Sequence, residues 1–213
     1  MLVAIISDTH NKHDQISVPD ADLLVHCGDY SIHGSLVELM QFNKWLGTLP
    51  HKRKLVIPGN HDFICEDLPI LAKKEMSNAT LLIDELIEID GKRIYGSPWT
   101  PKYGKWAFML PRVEMARIWE KVPENLDLLM THGPPRRVMD LTVRDNSNVG
   151  CVSLLETCQR LAPKHHAFGH IHEGYGETTI AWGYSGITNT HFINAAICTV
   201  AYEPTNKPIL VEI

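Results

Sequence analysis

Lys54-Leu55-Val56-Ile57-Pro58-Gly59-Asn60-His61-Asp62 is the stretch on which the reading of this chain turns. A short apolar, β-branched run that stops at Pro-Gly is a strand ending in a tight turn. Open α/β sheets present their ligands at such strand ends. Here the turn delivers an amide oxygen, an imidazole and a carboxylate in consecutive positions. Each of these residue types is at home in an ordinary turn. The stretch therefore gains meaning only if other strand ends supply matching partners.

Upstream, Leu2 to Ile6 is continuously apolar, the pattern of a buried strand. It ends in Ser7-Asp8-Thr9-His10, where Asp8 and His10 stand two apart and can point the same way from an extended backbone. Leu23-Leu24-Val25-His26-Cys27 is a second buried strand and closes on Gly28-Asp29-Tyr30. Ser35 and Glu38 then form a capping box, Leu36, Leu39, Met40 and Leu46 a helical stripe, and Gly47 marks the expected helix end. Strand, loop, strand, helix, strand is βαβ-like and argues for a layered α/β architecture.

Downstream, a short helix is expected within Glu66 to Lys74, and Asp90-Gly91 joins Leu86–Asp90 to Lys92–Gly96 as a hairpin. Gly96-Ser97-Pro98-Trp99-Thr100-Pro101 reads as a loop, with Tyr95, Trp99, Tyr103 and Trp106 crowded around it. Pro111 starts a helix through Val122, and Leu126 to Met130 is a strand that ends in Thr131-His132-Gly133-Pro134-Pro135. Val152 to Leu161 has helical spacing, and His165 to Phe168 is a strand running into Gly169-His170-Ile171-His172. The tail reads as strands at Phe192-Ile193, Cys198 to Tyr202 and Ile209 to Ile213.

At 213 residues, the length favours one domain, spanning 1–213, over two. Apolar residues make up 44% and charged ones 21%, ordinary globular values. Net charge is −5, and the densest basic cluster, Lys52-Arg53-Lys54, is too short for a nucleic-acid arm, so no long DNA or RNA partner is expected. The opening apolar run is too short for a signal peptide or a membrane span, so no membrane partner is expected either. The cysteines (Cys27, Cys65, Cys151, Cys158, Cys198) are odd in number, scattered and without a C-x-x-C pair, which fits reduced thiols in a cytoplasmic enzyme. Oligomeric state is not legible. The unusual count is twelve histidines.

Five strand tips carry the same cargo: Asp8 with His10, Asp29, Asn60 with His61, His132, and His170 with His172. Carboxylates, an amide and imidazoles without cysteine suit Mn²⁺, Fe or Zn²⁺ better than Ca²⁺. Seven ligands, His61 set aside, are too many for one tetrahedral site with an open position. They fit two divalent ions that share one carboxylate, with Mn²⁺ or Fe favoured.

Asp8-x-His10, Gly28-Asp29, Gly59-Asn60-His61-Asp62, His132 and Gly169-His170-x-His172, in that order, resemble the signature of the calcineurin-like metallophosphoesterase superfamily. The loop sequences Gly-Ser-Pro-Trp-Thr-Pro at 96–101, Thr-His-Gly-Pro-Pro at 131–135 and Gly-His-Ile-His-Glu-Gly-Tyr-Gly at 169–176, with Asn194-Ala195 and Pro204-Thr205-Asn206, are similar to its metallophosphoesterase-domain (adult brain protein 239-like) subfamily. The resemblance implies a β-sandwich of two mixed sheets flanked by helices, a fold the βαβ order alone would render as one doubly wound sheet. It also implies that Asp8, His10 and His172 hold one metal, that Asn60, His132 and His170 hold the other, and that Asp29 bridges them. The implied activity is phosphodiester hydrolysis on cyclic nucleotides or other small diesters. A phosphomonoesterase or protein phosphatase on the same site is the nearest alternative, and a silent scaffold a further one.

In that chemistry two metals activate a bridging water and clamp the phosphoryl oxygens. His61 is expected to protonate the leaving group or stabilise the transition state, and Asp62 to orient His61 by accepting its other ring N–H. Trp99, Tyr103 and Trp106 have two readings, stacking of a nucleobase or packing of the proline-rich loop. Arg136, with Arg137, either contacts a phosphate or is simply solvated.

Overall fold

Val3 and Ile5 of the first strand, β1 (Leu2–Ile6), face one apolar layer, and Ala4 and Ile6 face another. Both faces are buried, which is why the run shows no apolar–polar alternation. In this computed structural model, which describes residues 1–183 and 188–213, the chain continues through β2 (Leu23–His26), α1 (Leu36–Thr48), β3 (Arg53–Val56), α2 (Phe63–Asp67), α3 (Pro69–Glu75) and β4 (Thr80–Leu81). A hairpin of β5 (Glu85–Ile89) and β6 (Lys92–Ser97) follows, then the small pair β7 (Thr100–Pro101) and β8 (Met109–Leu110), and α4 (Ala116–Trp119). The remainder is β9 (Leu128–Thr131), α5 (Val152–Leu161), β10 (His165–Phe168), β11 (Gly176–Trp182), β12 (Thr188–Asn194) and β13 (Ile209–Glu212).

Two large sheets result. The first has the order β13-β1-β2-β3-β4, parallel except for β13. The second has the order β11-β12-β10-β9-β6-β5, parallel in its middle and antiparallel at both edges. Val3, Ile5, Val25 and Leu55 of the first sheet meet Ile94, Leu128, Met130 and Ile193 of the second in a shared core. The outer face of the first sheet is covered by Leu39, Phe42 and Leu46 of α1, and that of the second by Trp119, Leu154 and Cys158 from α4 and α5. The layers are helix, sheet, sheet, helix, the mixed α/β sandwich that the resemblance implied. Phe42 is fully buried and stacks on Tyr30 at 4.6 Å; truncating such a ring costs about 3–5 kcal/mol.

Register positions the site. Ile6, His26 and Val56 lie side by side, as do Met130 and Ala167, and Phe168 and Asn194. Parallel strands that end level deliver the residues after them to one rim. Beyond β1, Ile197 N–H donates to Ser7 O at 2.8 Å, so the tips of the two sheets are stitched together at that rim.

Several local expectations are revised. Helix α1 runs through Gly47 to Thr48 and stops at Leu49, because the following Pro50 disfavours α geometry there. The Glu66–Lys74 segment is split into α2 and α3 by Pro69, which cannot continue the hydrogen-bond ladder. The stripe Met115, Ile118, Trp119 and Val122 is buried as helical spacing requires, yet only Ala116–Trp119 is regular α-helix. Gly96 and Ser97 belong to β6, and Thr100 and Pro101 pair with β8, so the expected loop is short. Cys198 to Tyr202 is a turn rather than a strand, closed by Tyr202 N–H on Thr199 O with Tyr202 at φ 60°.

The capping box does more than start α1. Glu38 accepts from Ser35 N–H (2.9 Å) and from the Ser35 hydroxyl (2.7 Å), and its other oxygen accepts from Asn11 Nδ2 and the N–H groups of Ile32 and His33. Burial opposes its ionisation, but the hydrogen bonds from Ser35, Asn11 and His33 outweigh that and hold its pKa at about 2. The folded value lies below the ordinary 4.5, so this stabilisation is complete above that pH and is lost as pH falls through about 2. Glu38→Gln should therefore lower the urea unfolding midpoint more at pH 7 than at pH 3; an equal deficit at both would contradict this role.

Candidate metal centre

The two carboxylates of the rim, Asp8 and Asp29, are almost completely buried. Asp29 Oδ1 accepts the backbone N–H of His61 at 2.8 Å. Its Oδ2 is ringed by three imidazole nitrogens, His132 Nε2 at 3.4 Å and the Nε2 atoms of His10 and His61 at 3.9 Å. Asp8 Oδ1 lies 3.4 Å from His172 Nε2 and 4.0 Å from His10 Nε2. His10 Nε2 faces His172 Nε2 at 3.4 Å, and His132 Nε2 faces Asn60 Oδ1 at 3.0 Å. The His132 and His170 rings meet edge-on at 4.8 Å.

Three overlapping groups have their donor atoms within 4.8 Å of one another: Asp8, His10 and His172; His10, Asp29 and His61; and Asp29, His132 and His170. Donors bonded to one ion at ~2.0–2.2 Å stand roughly 3–3.5 Å apart. The shorter of these separations match that spacing, and the donor set, nitrogen and oxygen without sulfur, suits a divalent ion of intermediate hardness. The strand tips read from sequence are thus brought together, and His61 stands among them rather than apart.

The imidazoles are aimed by backbone carbonyls. Nδ1–H of His10 donates to Ser31 O (3.1 Å), that of His132 to Cys27 O (2.9 Å), and that of His172 to Thr199 O (2.9 Å). A carbonyl can only accept, so each Nδ1 carries a proton and each Nε2 faces the carboxylates, the outer support expected of metal-binding histidines. The backbone is bent to the same end. Asp8, His10, Asp29 and His170 all have left-handed φ, between 41° and 67°, a conformation that clusters at functional sites and costs about 1–3 kcal/mol each. A Cβ on Gly59 would stand 2.2 Å from Asp29 Oδ1, and one on Gly169 would stand 1.9 Å from Asp8 Oδ2. Only glycine allows so close an approach there.

Charge is balanced inside the cluster. Burial would raise Asp8, but the hydrogen bond and charge of His172 and the charge of His132 hold it well below the usual carboxylate range. Burial likewise opposes Asp29, and the charge and hydrogen bond of His132, with His10 and His61, hold it low. In turn His132 and His172 are lifted against burial to about 9, by Asp29 and by Asp8 respectively. Burial pushes His170 down to about 3, with the charge of His132 adding to it.

Asp62 has partners other than the one expected. His61 Nδ1–H donates to Ile32 O at 2.8 Å, so the ring N–H turned away from the cluster goes to that carbonyl and not to Asp62. Asp62 instead accepts from the N–H groups of Gly59 (2.7 Å), Asp29 (2.9 Å) and Ser31 (3.1 Å) and from the Ser31 hydroxyl (2.6 Å). It ties the β3 tip to the β2 tip. Burial and the charge of Asp29 raise its pKa to about 7 against the hydrogen bonds from Ser31 and Gly59.

The aromatics divide between their two readings. Trp99 packs edge-on to Phe108 and donates Nε1–H to Asp84 at 3.0 Å, so it belongs to the loop's packing. Trp106 lies 4.5 Å from the His61 ring and Tyr103 lies 5.7 Å from the His170 ring, and both are exposed. A cavity of about 440 Å³ opens beside His170 between Pro101, Tyr103, Pro134, Ile171 and Val200. Its arginines are Arg112 and Arg144, which sequence reasoning passed over. Arg136 is half-buried, and its backbone N–H donates to Cys151 O. Tyr202 was also missed: its ring is 4.8 Å from His10, delivered by the turn that sequence read as a strand. A larger cavity of about 620 Å³, lined by Met1, Asp22, Arg53 and Lys92, opens at the other ends of the strands.

A family model described as calcineurin-like phosphoesterase matches residues 1–174. Metallophosphoesterase domain-containing protein 1 of Homo sapiens is 40% identical over 233 residues, which cover 98% of this chain and 69% of that protein. Among solved structures, one chain at 16% identity has a TM-score of 0.67, covering 99% of this chain and 98% of its own. The 5′-nucleotidase precursor from Thermus thermophilus, at 12% identity, has a TM-score of 0.53, covering 91% of this chain and 48% of its own. At such identities the last two speak to fold alone. The family model and the 40% identical relative together establish that this chain belongs to the calcineurin-like phosphoesterase family.

Proposed function

We propose that this protein is a dinuclear, metal-dependent phosphodiesterase acting on small phosphodiesters, cyclic nucleotides among them. The observation that carries the reading is Asp29, one buried carboxylate that belongs to two of the three donor groups. In this reading Asp8, His10 and His172 hold one ion, Asn60, His132 and His170 hold the other, and Asp29 serves both. Mn²⁺ or Fe is favoured by the donor set, with Zn²⁺ as the alternative. Two such ions, when bound, supply an activated water at neutral pH and neutralise phosphoryl oxygens.

The chain's own residues complete the chemistry. His61, held at Nδ1 by Ile32 O, presents Nε2 toward the cluster and would deliver a proton from that atom to the departing alkoxide. Asp62 fixes the two loops that carry Asp29 and Asn60 rather than acting on His61. The cavity beside His170 supports a diester: Arg112 is engaged by the carbonyls of Val149 and Gly150, Arg144 makes no ion pair among the described residues, and the carboxylates of Asp145 and Glu173 also line the cavity. Its walls of Pro101, Tyr103, Pro134, Ile171 and Val200 suit the organic second substituent of a diester better than the dianion of a monoester. Tyr103 on the cavity wall, and Trp106 beside His61, would stack on that substituent. The five cysteines are free and buried, which supports a cytoplasmic setting, and among the described residues no helix is long and apolar enough to cross a membrane.

His61→Ala should keep both ions yet lose ~10²–10⁴-fold in turnover, whereas Asp29→Ala should lose metal as well; metal content and rates of the two variants decide, and a fully active His61 variant would sink the proton-donor role. In a rate panel of the Mn²⁺-loaded protein, a bis-aryl diester and 2′,3′- and 3′,5′-cyclic nucleotides should outpace an aryl monoester, and the reverse order would overturn diester specificity. With His132 and His172 protonated up to about 9 in the metal-free protein, each ion must displace a proton. Apparent affinity should therefore rise about tenfold per pH unit between about pH 6 and 8; calorimetric titrations giving pH-independent affinity would contradict this.

A further inference from the structure

Two histidines outside the candidate cluster, His26 on β2 and His166 on β10, are completely buried, and each meets a threonine beside a candidate ligand. Their tautomers follow from their partners. His26 Nδ1 lies 3.2 Å from the Gly28 N–H, which can only donate, so the His26 proton is on Nε2 and is donated to Thr9 Oγ1 at 3.0 Å. On the other sheet, the Thr131 hydroxyl gives its one proton to Gly133 O at 2.8 Å, so it must accept from His166 Nε2–H, also at 2.8 Å. His166 Nδ1 then receives the Cys158 thiol at 3.4 Å. Both rings are neutral, since burial pushes each down to about 3. This Nε2–H form is the opposite of the Nδ1–H form of His10, His132 and His172.

Thr9 separates Asp8 from His10, and Thr131 directly precedes His132. Both threonines are fully buried, so neither hydroxyl has solvent to replace its histidine. Asp8 and His10 hold left-handed backbone on either side of Thr9, a geometry that persists only when its surroundings enforce it.

We propose that His26 and His166 are positioning residues, each of which fixes, through a threonine hydroxyl, the loop carrying ligands of one metal: His26 and Thr9 for Asp8 and His10, His166 and Thr131 for His132. The inference rests on the dinuclear reading above. It divides the support between the sheets, so loss of either strut should weaken one ion and spare the other.

The test is a calorimetric Mn²⁺ titration of metal-free protein, with folding checked by circular dichroism. His166→Leu should weaken one of the two binding steps by ~10–100-fold and leave the other within about twofold; His26→Leu should weaken the other step. Thr131→Val and Thr9→Val should reproduce their partners' effects, and His166→Leu combined with Thr131→Val should be no weaker than either alone. His166→Gln, which keeps an N–H near the Nε2 position, should recover most of the loss. Equal weakening of both steps, additive losses in the double variant, or unchanged affinity in the valine variants would overturn the proposal. If the leucine variants do not fold, the valine variants and nitrogen NMR of the metal-free wild type still decide, because an Nδ1–H tautomer at His26 or His166 overturns it. Wild-type protein that takes up fewer than two ions overturns the dinuclear reading and this inference with it, whereas two ions without step-selective losses overturn the inference alone.

Discussion

Two carboxylates, Asp8 and Asp29, are taken out of water at the meeting point of the two sheets, and positive charge must be brought to them. A buried ionised carboxylate without compensation is too costly to persist. The protein answers with four imidazoles whose Nε2 atoms converge on the two groups, and the carboxylates in turn lift His132 and His172 to about 9. Divalent ions would balance the same charge with the same donors, in exchange for those protons. The cluster is thus a folded arrangement with cation demand built in. The left-handed backbone at Asp8, His10, Asp29 and His170, and the glycines that let Asn60 and His170 approach, are what that convergence requires.

Two further carboxylates organise the scaffold without entering the cluster. Asp62 gathers the N–H groups of Gly59, Asp29 and Ser31, which fixes the tips of β2 and β3 relative to each other. Glu38 gathers those of Ile32, His33 and Ser35. The segment they hold between them presents Ser31 O to His10 and Ile32 O to His61. The start of one helix is in this way coupled to the aim of two histidines.

The candidate cluster was largely legible because each member follows directly on an apolar run, so local pattern reports both the strand and the chemistry at its tip. The sandwich was less legible. Val3, Ala4, Ile5 and Ile6 are apolar whether one sheet or two covers them, and beside the resemblance only the strand-rich tail pointed to a second sheet. What escaped depends on contacts distant in sequence. The partners of Asp62 lie 33 and 31 residues away at Asp29 and Ser31, so adjacency to His61 suggested the wrong one. Trp99 looked like Trp106 until Asp84 claimed its indole. Tyr202 and Arg144 carry no pattern of their own, and each is placed by a turn.

Electron paramagnetic resonance of the protein titrated with Mn²⁺ tests the shared carboxylate most directly. Two ions held together through Asp29 would be exchange-coupled at the ~3.5–4 Å typical of two-metal sites, so the account predicts a coupled spectrum that grows in as the second equivalent binds. Two equivalents bound with the six-line signature of isolated Mn²⁺, or saturation at a single equivalent, would contradict it.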